Sequence, residues 1–176
     1  MRRSSQLLRS EVQIHNLVDW RTHLASLRRT KEGGQIRYIG ITHYNTGALK
    51  ELARIIAGEP GIDFVQLGYS LATRAPEAEL LPVAAAHGVA VIANQPLSAA
   101  ICCAGRARPL PEWAGEFGCK SWAQLFLKYV LAEPAVTCVI PATGNPEHMK
   151  DNLAAGLGRL PDARQRQQLR ELWDAG

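Results

Sequence analysis

The stretch 137–153, TCVIPATGNPEHMKDNL, is a short apolar run that passes almost at once into a helix start, and the chain repeats that pattern along its length. Thr137 to Ile140 is a β-branched run suited to a buried parallel strand, and Pro141 stops it. Residues 142–144 make a tight connection. Asn145 then reads as a helix N-cap, since its side chain can accept an orphan amide hydrogen, and Pro146 as the first helical residue, since it has no amide to leave unpaired. A strand that runs into a helix this way gathers backbone N–H groups and the positive dipole end at one point, which suits a phosphate. Every βα turn shares that property, and no long glycine-rich loop is present. The turn alone therefore leaves a phosphate site and a plain structural connection both open.

Four earlier segments follow the same pattern. Val12 to His15 alternates as a strand, Asn16 to Trp20 is its loop, and Thr22 to Lys31 has helical spacing closed by Gly33 and Gly34. Ile36 to Ile41 is the next strand, with a loop over Thr42 to Thr46 and a helix over Ala48 to Ala57. Phe64 to Leu67, a loop over Gly68 to Arg74, and a helix over Ala75 to His87 with Gly88 beyond its end make the third unit. Val89 to Ala93 opens the fourth, whose helix is Ser121 to Leu131. Between them, Asn94 to Gly118 is a long connection holding Pro96, Pro109 and Pro111, of a length usually reserved for function. A last helix is expected over Asp162 to Trp173. Residues 1–11 are a polar remnant, with the domain over 12–176.

Five strands, each followed by a helix, call for right-handed parallel crossovers, and both a doubly wound sheet and part of a (β/α)8 barrel fit. In either, ligand groups lie at strand C-termini. That rule selects His15, Thr42, His43, Gln66, Asn94, Gln95, Thr143 and Asn145.

Composition narrows the partners. The net charge of +4, from 20 basic and 16 acidic residues that are interspersed, argues against nucleic acid. Cys102 and Cys103 are adjacent in the long connection, Cys119 stands apart, and Cys138 falls within an apolar strand, so no metal-ligand spacing emerges. Cys138 is expected in the core. No run approaches the ~20 apolar residues of a membrane span. Arg2 and Arg3 are not followed by an apolar signal stretch, which gives an expectation of a cytoplasmic protein.

The residues at the strand ends also carry a resemblance. Residues 36–45, IRYIGITHYN, 65–69, VQLGY, and 139–152 resemble, in order and spacing, successive strands and loops of the aldo/keto reductase family, over roughly Val12 to Ala155. The resemblance implies an incomplete (β/α)8 TIM barrel of about five parallel strands, a nicotinamide coenzyme, NADP(H) first and NAD(H) as the other candidate, and a small carbonyl substrate. It implies that His15, in QIHN, is the histidine of the family's Asp, Tyr, Lys and His tetrad. The other three come from earlier strands, and only fourteen residues precede His15. By the same resemblance Thr42, His43 and Gln66 would hold the nicotinamide carboxamide. Asn94 stands where an aromatic stacks on the ring, and Gln95 and Leu97 flank the diphosphate. Thr143 meets the 2′-phosphate, with Ala142 and His148 in place of the usual lysine and arginine. Asp151 and Asn152 are the adenine contacts.

Two consequences are expected. A barrel of this class takes ~250 residues, so a partial one leaves raw sheet edges that favour self-association. Loss of the proton donor should remove on the order of 10² to 10⁴ of the rate, leaving an impaired oxidoreductase. The alternatives are a non-catalytic nucleotide-binding or regulatory subunit, and an enzyme of another reaction class with His15 and His43 as acid and base.

Overall fold

The computed structural model describes residues 9–98 and 109–175; the cysteine pair 102–103 and residues 1–8 lie outside them. Five strands alternate with helices in a single sheet: β1 Arg9–His15, α1 Trp20–Glu32, β2 Ile36–His43, α2 Leu49–Gly58, β3 Phe64–Gly68, α3 Ala75–Glu79, α4 Leu81–Ala86, β4 Ala90–Asn94, α5 Trp122–Leu131, β5 Cys138–Val139, α6 Pro146–Ala154 and α7 Ala163–Asp174. All pairings are parallel, and the spatial order β1-β2-β3-β4-β5 is the order in sequence. That order decides between the two architectures. Right-handed crossovers taken always in one direction place every helix on the same side, as in a barrel, whereas a doubly wound sheet reverses direction at a switch point.

Strand periodicity then sorts the side chains. Ile14, Ile39, Ile41, Val65, Leu67, Val91 and Ala93 are buried under the helices, against Leu24, Leu52, Ile55, Ala84 and Phe126. The alternate residues, in register as His15–Thr42–Gln66–Ile92–Cys138, face the uncovered side. Gly40 on that side lies beneath the ring of Phe64; a Cβ there would come within 2.3 Å of ring carbons, so only glycine fits.

Local chemistry sets most boundaries where expected. Asn145 accepts from the Glu147 amide at the start of α6, Ser121 from the Gln124 amide at the start of α5, and Asp162 and Gln165 form a reciprocal capping box on α7. Three expectations need correction. Thr42 and His43 belong to β2 rather than to the following loop. The single helix expected over Ala75 to His87 is two short helices meeting at Leu80, with Pro82, which cannot donate, in the first turn of the second. Cys138 is exposed rather than in the core, because β5 is an edge strand and its register turns this residue to the uncovered face. Among the described residues no helix is long and apolar enough to cross a membrane.

A buried polar cluster pins α7 to the body. Glu77 Oε1 accepts from the hydroxyls of Tyr69 (2.6 Å) and Tyr129 (2.7 Å), and its Oε2 accepts from Arg170 (2.6 Å). Arg166 donates to the Tyr69 hydroxyl at 2.7 Å and to Glu133 at 2.7 Å. Burial, reinforced by the hydrogen bond each makes to Glu77, pushes both phenols up, that of Tyr69 well above the ordinary tyrosine range. The native state therefore keeps two protons that the unfolded chain releases above about pH 10. Stability from this source is intact below that pH and falls as pH rises, with a slope of about 1.4 kcal/mol per pH unit from Tyr69 and a further contribution of the same sign from Tyr129. The melting temperature should drop steeply above about pH 10. Of the four tyrosines, no more than half should show tyrosinate absorbance before the chain unfolds. Full tyrosinate signal from folded protein would overturn this account.

Candidate functional site

The C-terminal ends of β1 to β4 and the loops beyond them form one rim. On its uncovered side Gln13 Nε2 donates to Gln66 Oε1 at 3.1 Å, and Gln66 stands beside Thr42, which is buried. Gln13 Oε1 is buried without a partner, so this amide pair presents an unsatisfied acceptor near the middle of the sheet. His15 is exposed at the end of β1, lining a cavity of about 430 Å³ with Gln13, Val18 and His23. His43 alternates to the opposite side from Thr42. Its Nδ1 accepts from the Asn45 amide at 3.0 Å, and its ring stacks on Tyr44. The structure thus separates His15 from His43, which cannot form an acid and base pair across this sheet.

The larger cavity, about 690 Å³, lies between the ends of β4 and β5, the start of α5 and the first turns of α6. Seven residues singled out in the sequence share its wall: Asn94, Gln95, Leu97, Thr143, His148, Asp151 and Asn152. Each reaches it for a local reason. The Asn94 side chain comes off the last residue of β4, and its Oδ1 is buried with no hydrogen-bond partner. Gln95, next along, takes a left-handed backbone (φ 50°), as does Ser98 (φ 47°), and the Ser98 amide closes the turn on the Gln95 carbonyl at 2.9 Å. Among described non-glycine residues, such values occur only in the loops after β1 and β4, both on the rim. A hydroxyl–hydroxyl bond from Ser98 to buried Ser70 ties this turn to the loop after β3. Thr143 Oγ1 accepts from the Asn145 amide at 3.2 Å, and His148 is exposed in the first turn of α6.

Asp151 and Asn152 are not a solvated helix face. Asp151 accepts from Ser121 Oγ (2.5 Å) and from Gln124 Nε2 (2.6 Å), so both carboxylate oxygens are spent holding the start of α5 against α6. Asn152 is buried. Sequence reasoning missed Ser121, Trp122 and Ala123 as cavity residues. Ser121 was legible as a helix start, but nothing local to it foretells a partner thirty residues on. His43, Thr42, Gln66 and His15 do not share this cavity's wall; they continue the rim toward β1. Among the described residues no group of three potential ligands could hold a metal ion.

Comparison with known proteins places this arrangement. The model of the aldo/keto reductase family matches residues 12–174. The chain is 24% identical over 157 residues to an uncharacterized oxidoreductase, YqkF, of Bacillus subtilis (strain 168), covering 77% of this chain and 50% of that protein. Among solved structures it superposes on the thermostable aldo-keto reductase Tm1743, crystallised with the inhibitor epalrestat, at a TM-score of 0.72 and 28% identity, covering 93% of this chain and 59% of that one. An aldo/keto reductase from Klebsiella pneumoniae in complex with NADP and acetate gives a TM-score of 0.74 at 24% identity, covering 93% of this chain and 58% of that one. The chain thus spans about half to three fifths of the length of these relatives, consistent with an incomplete barrel. With five parallel βα units wound in one direction and a family match across nearly its whole length, the chain belongs to the aldo/keto reductase family.

Proposed function

We propose that this chain holds a nicotinamide dinucleotide, NADP(H) or NAD(H), across the ends of its strands, and that it is the coenzyme-binding portion of an oxidoreductase acting on small carbonyl compounds. The observation that carries the reading is the sharing of one 690 Å³ cavity wall by seven residues picked from scattered positions between 94 and 152. Its volume lies within the range of small-molecule sites. The wall fits the group: a buried Asn94 oxygen lacks a donor, a hydroxyl stands at Thr143, and the capped start of α6 supplies a positive dipole end. The NADP in the Klebsiella pneumoniae structure is in keeping with it.

When bound, the nicotinamide supplies the reducing equivalent for a carbonyl. The chain's own residues bind and orient. Thr42 and Gln66, neighbours in register on the uncovered face, hold the carboxamide, with Gln13 fixing Gln66. His43 contributes little, because it alternates to the face opposite Thr42 and Gln66 and its Nδ1 accepts from the loop. Gln95 and Leu97 flank the diphosphate, Thr143 and His148 meet a 2′-phosphate, and Asn152 and Asp151 border the adenine. His15 faces a substrate carbonyl, which its imidazole can polarise.

Fluorescence titration of NADPH and NADH with the 176-residue chain tests this. Both should bind, and Thr143→Ala should weaken NADPH about two- to tenfold, the worth of one hydrogen bond, while leaving NADH nearly unchanged. Absence of binding by either would remove the reading. A second reading, a nucleotide sensor without catalysis, is favoured by the placing of His15 in a separate cavity from the seven; binding with no detectable turnover would select it.

A further inference from the structure

Helix α6 is held to the body along one narrow side. Asn152 and, just past the helix end, Ala155 are buried, whereas Pro146 to Lys150 and Leu153 are exposed. Beyond Ala154 the coil continues for one tighter turn. The amides of Ala155, Gly156 and Leu157 donate to the carbonyls of Asn152, Leu153 and Ala154 at 3.0–3.1 Å, and Gly158 (φ 74°) ends it. Met149, Leu153 and Leu157 therefore recur every four residues on one side of a continuous coil, turned away from Ala155. Leu160 follows. Leu153 is 67% exposed and Leu157 72%, and these four make up half of the exposed large apolar side chains among the described residues. Single apolar side chains scattered on a surface are ordinary, but a contiguous stripe marks a contact.

We propose that this stripe is the interface of a homodimer, with α6 packed antiparallel on α6 of a second copy of the chain about a twofold axis at Leu153. Coenzyme binding plays no part in it. In such a contact, residue i of one copy meets j of the other while j meets i, so the surface must complement itself. This one does. Counting outward from Leu153, which meets its own counterpart, Met149 meets Leu157 of the second copy. Lys150 crosses Gly156 of the second copy, which has no side chain to obstruct a close approach. At the two ends Glu147 comes to Arg159 of the second copy, opposite in charge. Both are exposed: Glu147 is paired only with Lys150 of its own helix, and Arg159 lies 3.9 Å from Glu116. The apolar spacing and the end charges thus match the same stripe reversed, which selects a second copy as the occupant. Two helices of about three turns bury less than ~1,200 Å² in total, the low end for specific interfaces, so the dimer should be reversible with a Kd on the order of 10 μM.

Sedimentation velocity of the 176-residue chain, from about tenfold below to about tenfold above that Kd, should show the mass rising from one chain to two. Leu153→Lys sets two cations together at the axis and should weaken the dimer more than tenfold. The fold should survive, because the position is exposed and a cation suits the last turn of a helix; an unchanged far-UV circular dichroism spectrum checks this. Val18→Lys, at a similarly exposed apolar position in the loop after β1, should leave dimerisation unchanged. Glu147→Arg and Arg159→Glu should each weaken the dimer about threefold, and the two together should restore it. A chain that stays monomeric at the highest concentration overturns the inference and leaves the stripe to a different polypeptide. So does a dimer that survives Leu153→Lys, or one that Val18→Lys disrupts as much, which would move the contact to the free edge of β1. A double charge reversal as weak as either single one overturns the antiparallel pairing.

Discussion

Mixed with NADPH and a small aldehyde, the 176-residue chain by itself is expected to turn over two to four orders of magnitude more slowly than an ordinary enzyme working at ~10 s⁻¹. Carbonyl reduction needs a proton delivered to the oxygen as it gains charge, and a positioned acid is worth about 10² to 10⁴. At the strand C-termini the uncovered face offers Gln13, His15, Thr42, Gln66 and Asn94, of which His15 alone is ionisable, and, on the edge strand β5, the thiol of Cys138, which burial holds in its protonated form. Tyr38, the tyrosine on the same face, pairs with Glu11 in the opposite half of β2. It stands four residues before Thr42, or roughly 13 Å along the strand, too far to reach the same oxygen. The residual rate should therefore draw its proton from water, with His15 polarising the carbonyl, and His15→Gln should lower it further. Initial rates from NADPH absorbance check this. A rate near 10 s⁻¹ would mean that the chain carries a proton donor beyond these residues.

The fold was largely legible because the local signals agree with one another: apolar runs of strand length, a cap at Asn145, and glycines beyond helix ends mark the same boundaries, and Ser121 and Asp162, read as helix starts, prove to be the caps of theirs. The choice between a barrel and a doubly wound sheet was not legible from periodicity, since it depends on spatial strand order and not on any strand's own residues. Cys138 was misplaced for a related reason. Its run reads as buried, yet burial requires a neighbour on each side of the strand and a cover on each face, and β5 has one neighbour and one open face. The site was half legible. The strand-end rule found the rim, and the family likeness named the residues that prove to share the larger cavity. What neither could show is how far two named residues are committed elsewhere: His43 to its own loop and Asp151 to the start of α5. Such commitments are contacts between distant segments and leave no mark on the local pattern.

The same limit hid the cluster around Glu77, where the largest single loss of stability is expected. Glu77→Ala should cost about 3–5 kcal/mol, the range for removing one member of a buried ionic network. Against the ~5–15 kcal/mol of a typical domain, that brings the chain near unfolding. The cause is what the substitution leaves behind. Glu77 accepts from both tyrosine hydroxyls and from Arg170, and Arg166 lies 3.2 Å away with its Nε already buried and unpartnered. The side chain of Arg166 is only 10% exposed, and that of Glu77 18%. Without the carboxylate, two guanidinium groups would face each other with Glu133 as the one remaining counter-charge, bound to Arg166 at 2.7 Å. Because those arginines sit on α7, the C-terminal helix should loosen first, exposing the Phe126–Trp173 contact and raising the solvent quenching of tryptophan fluorescence before global unfolding. Glu77→Gln keeps an acceptor for the hydroxyls but not the charge, so its loss should be intermediate. Glu51→Ala, which breaks an exposed pair with Arg54 on α2, should cost nothing measurable. Urea unfolding of the three variants decides the matter: equal midpoints for Glu77→Ala and Glu51→Ala would show that α7 is held by apolar packing alone, through Leu169 and Trp173 against the body.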